Sequence, residues 1–540
     1  MADAGAEPKT LTLSEQLDTL FAPWNLTDAP GMVVGVARDG VVLYRRGFGM
    51  ASLETGVANS PKTRMRIGST SKHFTCLLAL LLAEEGKLDL DAPIRPYVPE
   101  LTGPGGDPTL RQLMQHRGGS RCYLDLAFVG HGMSVPPLGW ALAAQVRQRG
   151  RNFTPGEAML YNNGGYHLVS IAIERVGGAP FEAQLKARLF DPVGMHDTAS
   201  IPSDHDITPG IATMHMPGRG GRWRRGLFPS DEVRGEGAIV STIDDMLSWM
   251  AHLRTRDRFG SPASWAELTT LPTYPNGSVG AYALGLMVGA YRGLRTVHHA
   301  GGVMGGTAQM LTLPDDGLDI IILVNGAKDA NAVRLAEQVV DIVLADRVGP
   351  ETPVVNAKDY EPWLGDWWSP AAGMVYGLVD DKGALKLQIA RNPAAAQIER
   401  SADERLLVPG SSIGEITIKP GGAGEAMVIG FGGETHVYER LSGDGADVFA
   451  GLASGRYVSD DAGSSAVVET KDDRLIIRVS DGLGEVRSRL TALGPTVALA
   501  SPGRPLLGFV SVLSLTIEDG QTTGFMLNTT RTRQLEFRRV

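Results

Sequence analysis

The C-terminal part of the chain repeats itself at a spacing of 90 residues, and this limits the available folds more than any other feature. Gly365 corresponds to Gly455, Trp367 to Tyr457, Ser369 to Ser459 and Gly373 to Gly463. The run ALKLQI (Ala384–Ile389) falls in register with RLIIRV (Arg474–Val479), and the copies end alike on VYERL (Val437–Leu441) and EFRRV (Glu536–Val540). Short strand-like runs between Gly and Asp turns predict two small all-β units, barrels or sandwiches, joined near 442–445. Ahead of them GPETPVVNAKD (Gly349–Asp359) predicts a linker. A chain of 540 residues needs three or four cores at about one domain per 100–200 residues. The expected division is 1–346, 356–442 and 447–540.

Before residue 346, helical and strand patterns alternate. Ser14 to Trp24 predicts a helix capped by its serine, with Leu17, Leu20, Phe21 and Trp24 at helical spacing. Gly31 to Gly49 predicts a hairpin around Asp39-Gly40. Ser71 to Glu85 is apolar nearly all round and predicts a buried helix stopped by Gly86. Strand Asp319–Asn325 precedes an amphipathic helix over 329–345 with Val333, Ala336, Val340 and Val343 on one face.

Composition excludes several function classes. With 43% apolar and 21% charged residues the chain is globular, and its net charge of −9 opposes nucleic-acid binding, which needs a basic patch. The longest strongly apolar run, Leu77–Ala83, is too short to span a membrane. The stretch MADAGAEPKTLTLSEQLD carries no secretory pattern, so a cytoplasmic location is expected. Cys76 and Cys122 lack metal-ligand spacing and read as reduced packing residues.

The candidate chemistry begins at Ser69-Thr70-Ser71-Lys72, after a strand-like run (Thr63–Ile67) and at the start of the buried helix. A serine at a helix N-terminus has free N–H groups nearby to stabilise developing negative charge. Lys72, three residues on, shares its helical face and loses charge readily in a dry position, so it can take the serine proton. S-x-x-K occurs about once or twice by chance in a chain of this length, so position carries the weight. Tyr161-Asn162-Asn163, before a helix starting near Gly165, offers a phenol for proton relay and an amide for binding; alone it reads as a turn with an aromatic anchor. His299-Ala300-Gly301-Gly302 follows a strand-like run, and Gly301 and Gly302 permit close backbone approach; alone, His299 reads as a surface or interface histidine.

Serine-lysine, tyrosine-x-asparagine and a basic residue-x-glycine, in that order, resemble the signature of penicillin-recognising serine hydrolases over roughly residues 10–345. Gly31–Gly49 and Gly237–Thr242 with Asp245-Met246 are similar as well. The resemblance implies an α+β, β-lactamase/transpeptidase-like domain with helices on both sides of an antiparallel sheet, followed here by two β-barrel-like domains. The histidine of the third motif and the appended β units make the whole chain similar to bacterial D-aminopeptidases, with the peptidase of linearised microcystin a close second. In D-aminopeptidases a loop of the last domain reaches the active site; Ser480–Ser488 corresponds to it here. Two departures stand out. Leu284-Gly285-Leu286-Met287 carries methionine where that family carries asparagine, and the loop region holds Arg487 and Arg489.

The resemblance implies Ser69 as nucleophile, Lys72 as base helped by Tyr161, and backbone N–H groups of Ser69 and the segment after Gly301 as oxyanion hole. Asn163 would hold the substrate amide, and His299 would hydrogen-bond near the tyrosine or the substrate. Asp481 or Glu485 would receive a substrate ammonium, or else form a solvated acidic turn between strands. The expected substrate is a small peptide or amide, with no metal or organic cofactor implied. A homodimer through the β domains is left open. An endopeptidase of linearised cyclic peptides, an esterase or β-lactamase, and a penicillin-binding sensor remain as alternatives. Gly410-Ser411-Ser412-Ile413-Gly414 fits a G-x-S-x-G elbow, but a strand-like EITIK (Glu415–Lys419) follows where an elbow needs a helix. His116 reads as structural.

Overall fold

A computed structural model describes residues 11–401, 404–411, 414–422, 426–503 and 510–540. Residues 1–10, part of the stretch read for a secretory pattern, lie outside the described residues. The same holds for Ser412 and Ile413 of the elbow-like segment, which is flanked by strands Leu406–Ser411 and Gly414–Pro420.

The N-terminal part is built on a six-stranded antiparallel sheet. Its spatial order is Met287–Tyr291, Leu294–Val303, Gly306–Leu313, Leu318–Val324, Met32–Arg38 and Val41–Phe48. The hairpin turn has positive φ at both Asp39 (52°) and Gly40 (80°), the geometry that matches strand twist and favours an Asp-Gly pair. One face of the sheet packs on helix Lys72–Glu84, of which 11 of 13 residues are buried, and on helix Ile243–Thr255. The other face packs on helices Leu13–Phe21 and Ala332–Val343.

Two expected details shift. The first helix is capped by Thr12, not Ser14: Thr12 and Glu15 form a reciprocal capping box, which satisfies two free donors where a serine inside the first turn cannot. The last helix begins at Ala332 because the Asn331 side chain caps it, accepting from Val333 and Arg334 N. Its buried face is Ala332, Leu335, Ala336, Val339 and Val340, leaving Val333 and Val343 at the boundary.

Beyond residue 364 come two antiparallel β assemblies. The first is a nine-stranded sheet whose edge strands, Ala396–Gln397 and Glu399–Arg400, are separated in sequence by Ile398, so the sheet curls nearly closed. The second is a closed eight-stranded barrel from Gly455 to Arg539, preceded by helix Ala446–Ala453. The repeated residues do the same work in both. Strands Gly365–Ser369 and Gly455–Ser459 each pair with the last strand of their own assembly. Trp367 and Tyr457 are buried under an arginine from that last strand, Arg440 and Arg539, at 4.9 and 5.9 Å. Gly373 and Gly463 take the left-handed turn (φ 67° and 61°) that L side chains avoid.

The β assemblies grip residues 122–160 of the N-terminal part. Helix Tyr123–Gly130 puts Leu126, Phe128 and Val129 into the core that the barrel builds with Phe449, Ile477 and Phe525. Phe153, Ala158 and Leu160 join the core of the nine-stranded sheet. The chain therefore enters Tyr161–Asn163 from a segment held on both sides.

Candidate active site

Strand Met65–Arg66 pairs with Ile239–Ser241 and delivers Ser69 on a short 3-10 turn, Gly68–Ser71. Ser69 thus precedes the α-helix, which starts at Lys72, rather than opening it. Strand Leu294–Val303 presses on this turn. A Cβ on Gly301 would sit 1.9 Å from Ile67 O, and one on Gly68 (φ 55°) 2.8 Å from Gly302 N. Glycine is required at both positions by close backbone approach. Thr70 Oγ1 donates to His299 O at 3.0 Å and ties the turn to the strand.

Lys72 is fully buried, yet its amine is surrounded by polar atoms. Nζ lies 3.1 Å from Ser69 Oγ, 2.8 Å from Asn163 Oδ1 and 2.6 Å from Glu236 O. Burial lowers its pKa from 10.5 to about 7, against the opposing pull of the Glu236 carboxyl. The two carbonyl oxygens can only accept. A neutral amine therefore gives them both of its N–H groups and turns its lone pair toward the serine hydroxyl. That is the arrangement a general base needs.

Asn163 opens helix Asn163–Gly177, two residues earlier than expected, because Asn162 caps it by accepting from Gly164 N. Its Oδ1 is committed to Lys72, while the residue also lines the cleft. The Tyr161 ring lies 4.8 Å from Lys72 Nζ. Burial raises the phenol above its ordinary pKa, and the Ser69 hydroxyl beside it pulls the other way. Among the described residues Tyr161 Oη is buried with no hydrogen-bond partner of good geometry. His116 stacks behind Tyr161 at 4.1 Å, and its Nδ1 accepts from Asn162 N at 3.0 Å, which fixes the approach of Tyr161–Asn163.

His299 lies inside its strand and turns away from Tyr161, with ring centroids 6.3 Å apart. Its Nε2 meets the Tyr282 phenol at 3.0 Å and its Nδ1 meets Ala300 O at 2.6 Å. Because the carbonyl can only accept, the proton is placed on Nδ1 and Nε2 accepts from Tyr282. Burial, then the Lys72 charge, holds His299 well below its ordinary pKa, so the ring is neutral. Met287, Met159, Tyr161, Tyr274 and Tyr282 form one buried cluster, so the methionine that departs from the expected pattern packs against the site's aromatics.

Ser69, Asn163 and Gly302 line a cleft with about 440 Å³ of empty space including its mouth, walled also by Arg66, Phe228 and Glu236. Ser480–Ser488 does not line it. Asp481 is instead buried against His131, its Oδ2 2.5 Å from Nδ1. Glu485 is taken up by Arg487 at 2.6 Å and Arg478 at 3.3 Å. Both carboxylates expected to receive substrate are thus paired within the protein, away from the residues that line the cleft. A different barrel loop, between strands Gln521–Asn528 and Leu535–Arg539, packs on helix Tyr123–Gly130, which carries Leu124 of the cleft wall. There Arg531 pairs with the fully buried Asp125 at 2.7 Å, and its charge is felt at Lys72 and Tyr161. Asn152 Nδ2 donates to Arg531 O, Arg533 N donates to Asn152 Oδ1, and Arg121 donates to Arg533 O and Gln534 O. Glu236, Tyr282 and Arg531 escape a sequence reading because no motif contains them; the glycines flanking Glu236 are the faintest signal.

Three outcomes follow from this geometry and from the burial of Lys72. Arg531→Met strands the Asp125 carboxylate and should destabilise the chain by about 3–5 kcal/mol, with Asp125→Asn in the same chain restoring most of the loss in thermal unfolding. The kcat/KM of an amide substrate should rise with pH through about 7 and level off as Lys72 loses its proton. The same depressed pKa means that unfolding takes up a proton, so the Lys72 contribution to stability rises with pH between about 7 and 10.5.

Known proteins share the sequence and fold of this chain. A D-aminopeptidase from Cereibacter sphaeroides is 28% identical over 556 aligned residues, covering 98% of this chain and 100% of its own. The octameric penicillin-binding protein homologue from Pyrococcus abyssi shares the fold with a TM-score of 0.55 at 18% identity, covering 97% of this chain and 99% of that one. The D-amino acid amidase from Ochrobactrum anthropi SV3, solved with L-phenylalanine amide, has a TM-score of 0.52 at 22% identity over 62% of this chain and 99% of its own. The Beta-lactamase family model matches residues 19–344, more than half of the chain. This chain belongs to the β-lactamase family.

Proposed function

We propose that the chain is a serine aminopeptidase or amidase that releases an N-terminal D-residue from short peptides and amides through an acyl-enzyme on Ser69. One observation carries the reading: Lys72 Nζ lies 2.8 and 2.6 Å from two carbonyl acceptors and 3.1 Å from Ser69 Oγ, a setting in which a neutral amine turns its lone pair to the serine. Ser69 Oγ attacks the scissile carbonyl as Lys72 takes its proton. The oxyanion is held by Ser69 N–H and by backbone N–H groups of the strand after Gly301. Collapse of the tetrahedral intermediate breaks the C–N bond, and Tyr161, with the Ser69 hydroxyl beside it, passes the proton from Lys72 to the leaving amine. Water then enters by the reverse proton path and frees Ser69. His299 and Tyr282 act together as a neutral pair that keeps the strand and the aromatic wall in place.

The near full-length relative named D-aminopeptidase favours a D-residue with a free amine. In this reading the unit 1–346 carries the chemistry, and the units 356–442 and 447–540 hold segment 122–160 and bring Arg531 beside the base.

The test is a panel of D- and L-aminoacyl p-nitroanilides with matching esters. The expected result is preference for the D-anilide and a loss of about 10⁴-fold or more in kcat for Ser69→Ala with an unchanged circular dichroism spectrum. A Ser69→Ala variant that retains activity, or a preference for L substrates, rules the reading out.

A further inference from the structure

An aminopeptidase must compensate the charge of its substrate's ammonium, and the cleft offers a specific place for it. Two acidic side chains line the cleft among the described residues, Asp204 and Glu236. Asp204 is already neutralised: one oxygen pairs with Arg66, and the other accepts from Phe228 N at 2.7 Å. Glu236 differs. Its Oε1 accepts from the Tyr123 phenol and its Oε2 from Arg234 N at 3.1 Å, both neutral donors. No lysine or arginine forms an ion pair with it among the described residues, although it is 97% buried, with 3% of its surface exposed. Each oxygen keeps lone-pair capacity for a further donor.

A buried carboxyl without a cation is costly unless something neutralises it. Burial raises its pKa in the free enzyme, against the opposing pulls of the Tyr123 phenol and the Lys72 charge, which forms no direct pair with it. Its placement gives the missing cation a direction. The backbone carbonyl of Glu236 holds Lys72 Nζ at 2.6 Å, and Glu236 lines the same cleft as Ser69. The α-ammonium of an N-terminal residue is separated from the scissile carbonyl by one carbon, so the group that receives it belongs to the cleft that holds Ser69. Leu124 and Phe228 supply apolar wall beside it.

We propose that the Glu236 carboxylate receives the free α-ammonium of the substrate's N-terminal residue, so that one segment both positions the base and selects for a free amino terminus. The inference rests on the aminopeptidase reading above and supplies the recognition group that Asp481 and Glu485 do not. It has an electrostatic consequence: bound ammonium and carboxylate cancel at Lys72, so the base is neutral when attack begins.

The experiment compares D-alanine p-nitroanilide with propionyl p-nitroanilide, which lacks only the amine. The quantity read is the ratio of the two kcat/KM values. Glu236→Gln should lower that ratio by about 100-fold, mostly through KM of the free-amine substrate, because a neutral amide cannot replace the carboxylate. Glu236→Asp, which keeps the charge, should retain more of the ratio than Glu236→Gln, a rescue that a merely structural role does not give. A ratio unchanged in Glu236→Gln, or equally reduced in both variants, overturns the inference while leaving the aminopeptidase reading intact. A wild-type ratio near one overturns that reading itself, and this inference with it.

Discussion

The site depends on one constraint: a lysine amine held in a dry place among oxygen atoms. A buried ammonium would cost several kcal/mol, so the fold must either pair it or leave it neutral. No carboxylate forms an ion pair with Lys72 among the described residues; its neighbours are a hydroxyl and two carbonyl oxygens. Neutrality is the less costly state, and it is the state that accepts a proton. The three neighbours come from three distant stretches: the serine turn, the first residue of helix Asn163–Gly177 and the loop before strand Ile239–Ser241. Small errors in packing any of them would rehydrate the amine and restore its charge.

The two β assemblies bear on that packing. The barrel core takes up helix Tyr123–Gly130, whose Tyr123 donates to Glu236, and the nine-stranded sheet takes up Phe153, Ala158 and Leu160 just ahead of Tyr161. Arg531 closes the arrangement by pairing with Asp125 on the same helix. The β units thus act on the chemistry through contacts far apart in sequence and close in space. The Arg533–Glu434 pair joins the two β assemblies at the same point.

Much of this was legible in the residues, for a physical reason. Ser69, Lys72, Tyr161, Asn163 and His299 sit at element junctions, where glycine, caps and short spacings leave local marks, and the structure brings all five together. The repeat was legible because buried aromatics and left-handed glycines recur wherever the same turn is built, as at Trp367 and Tyr457. Glu236, Tyr282 and Arg531 left no such mark, since tertiary approach alone gives them their neighbours. The loop entering the site was misread for the same reason: repeat register locates a loop along the chain but not the depth to which it inserts. Asp481 shows the difference, being drawn to His131 on the far end of the helix that begins at the cleft.

The most direct measurement is rapid-quench mass spectrometry of the protein mixed with a D-alanine ester, with peptide mapping of the trapped species. The expected result is a single acyl adduct on the peptide carrying Ser69, formed within the first turnover and absent from Lys72→Met. An adduct on another residue, or full turnover with no covalent species and undiminished rate in Lys72→Met, would contradict a serine acylated with the help of a buried neutral lysine.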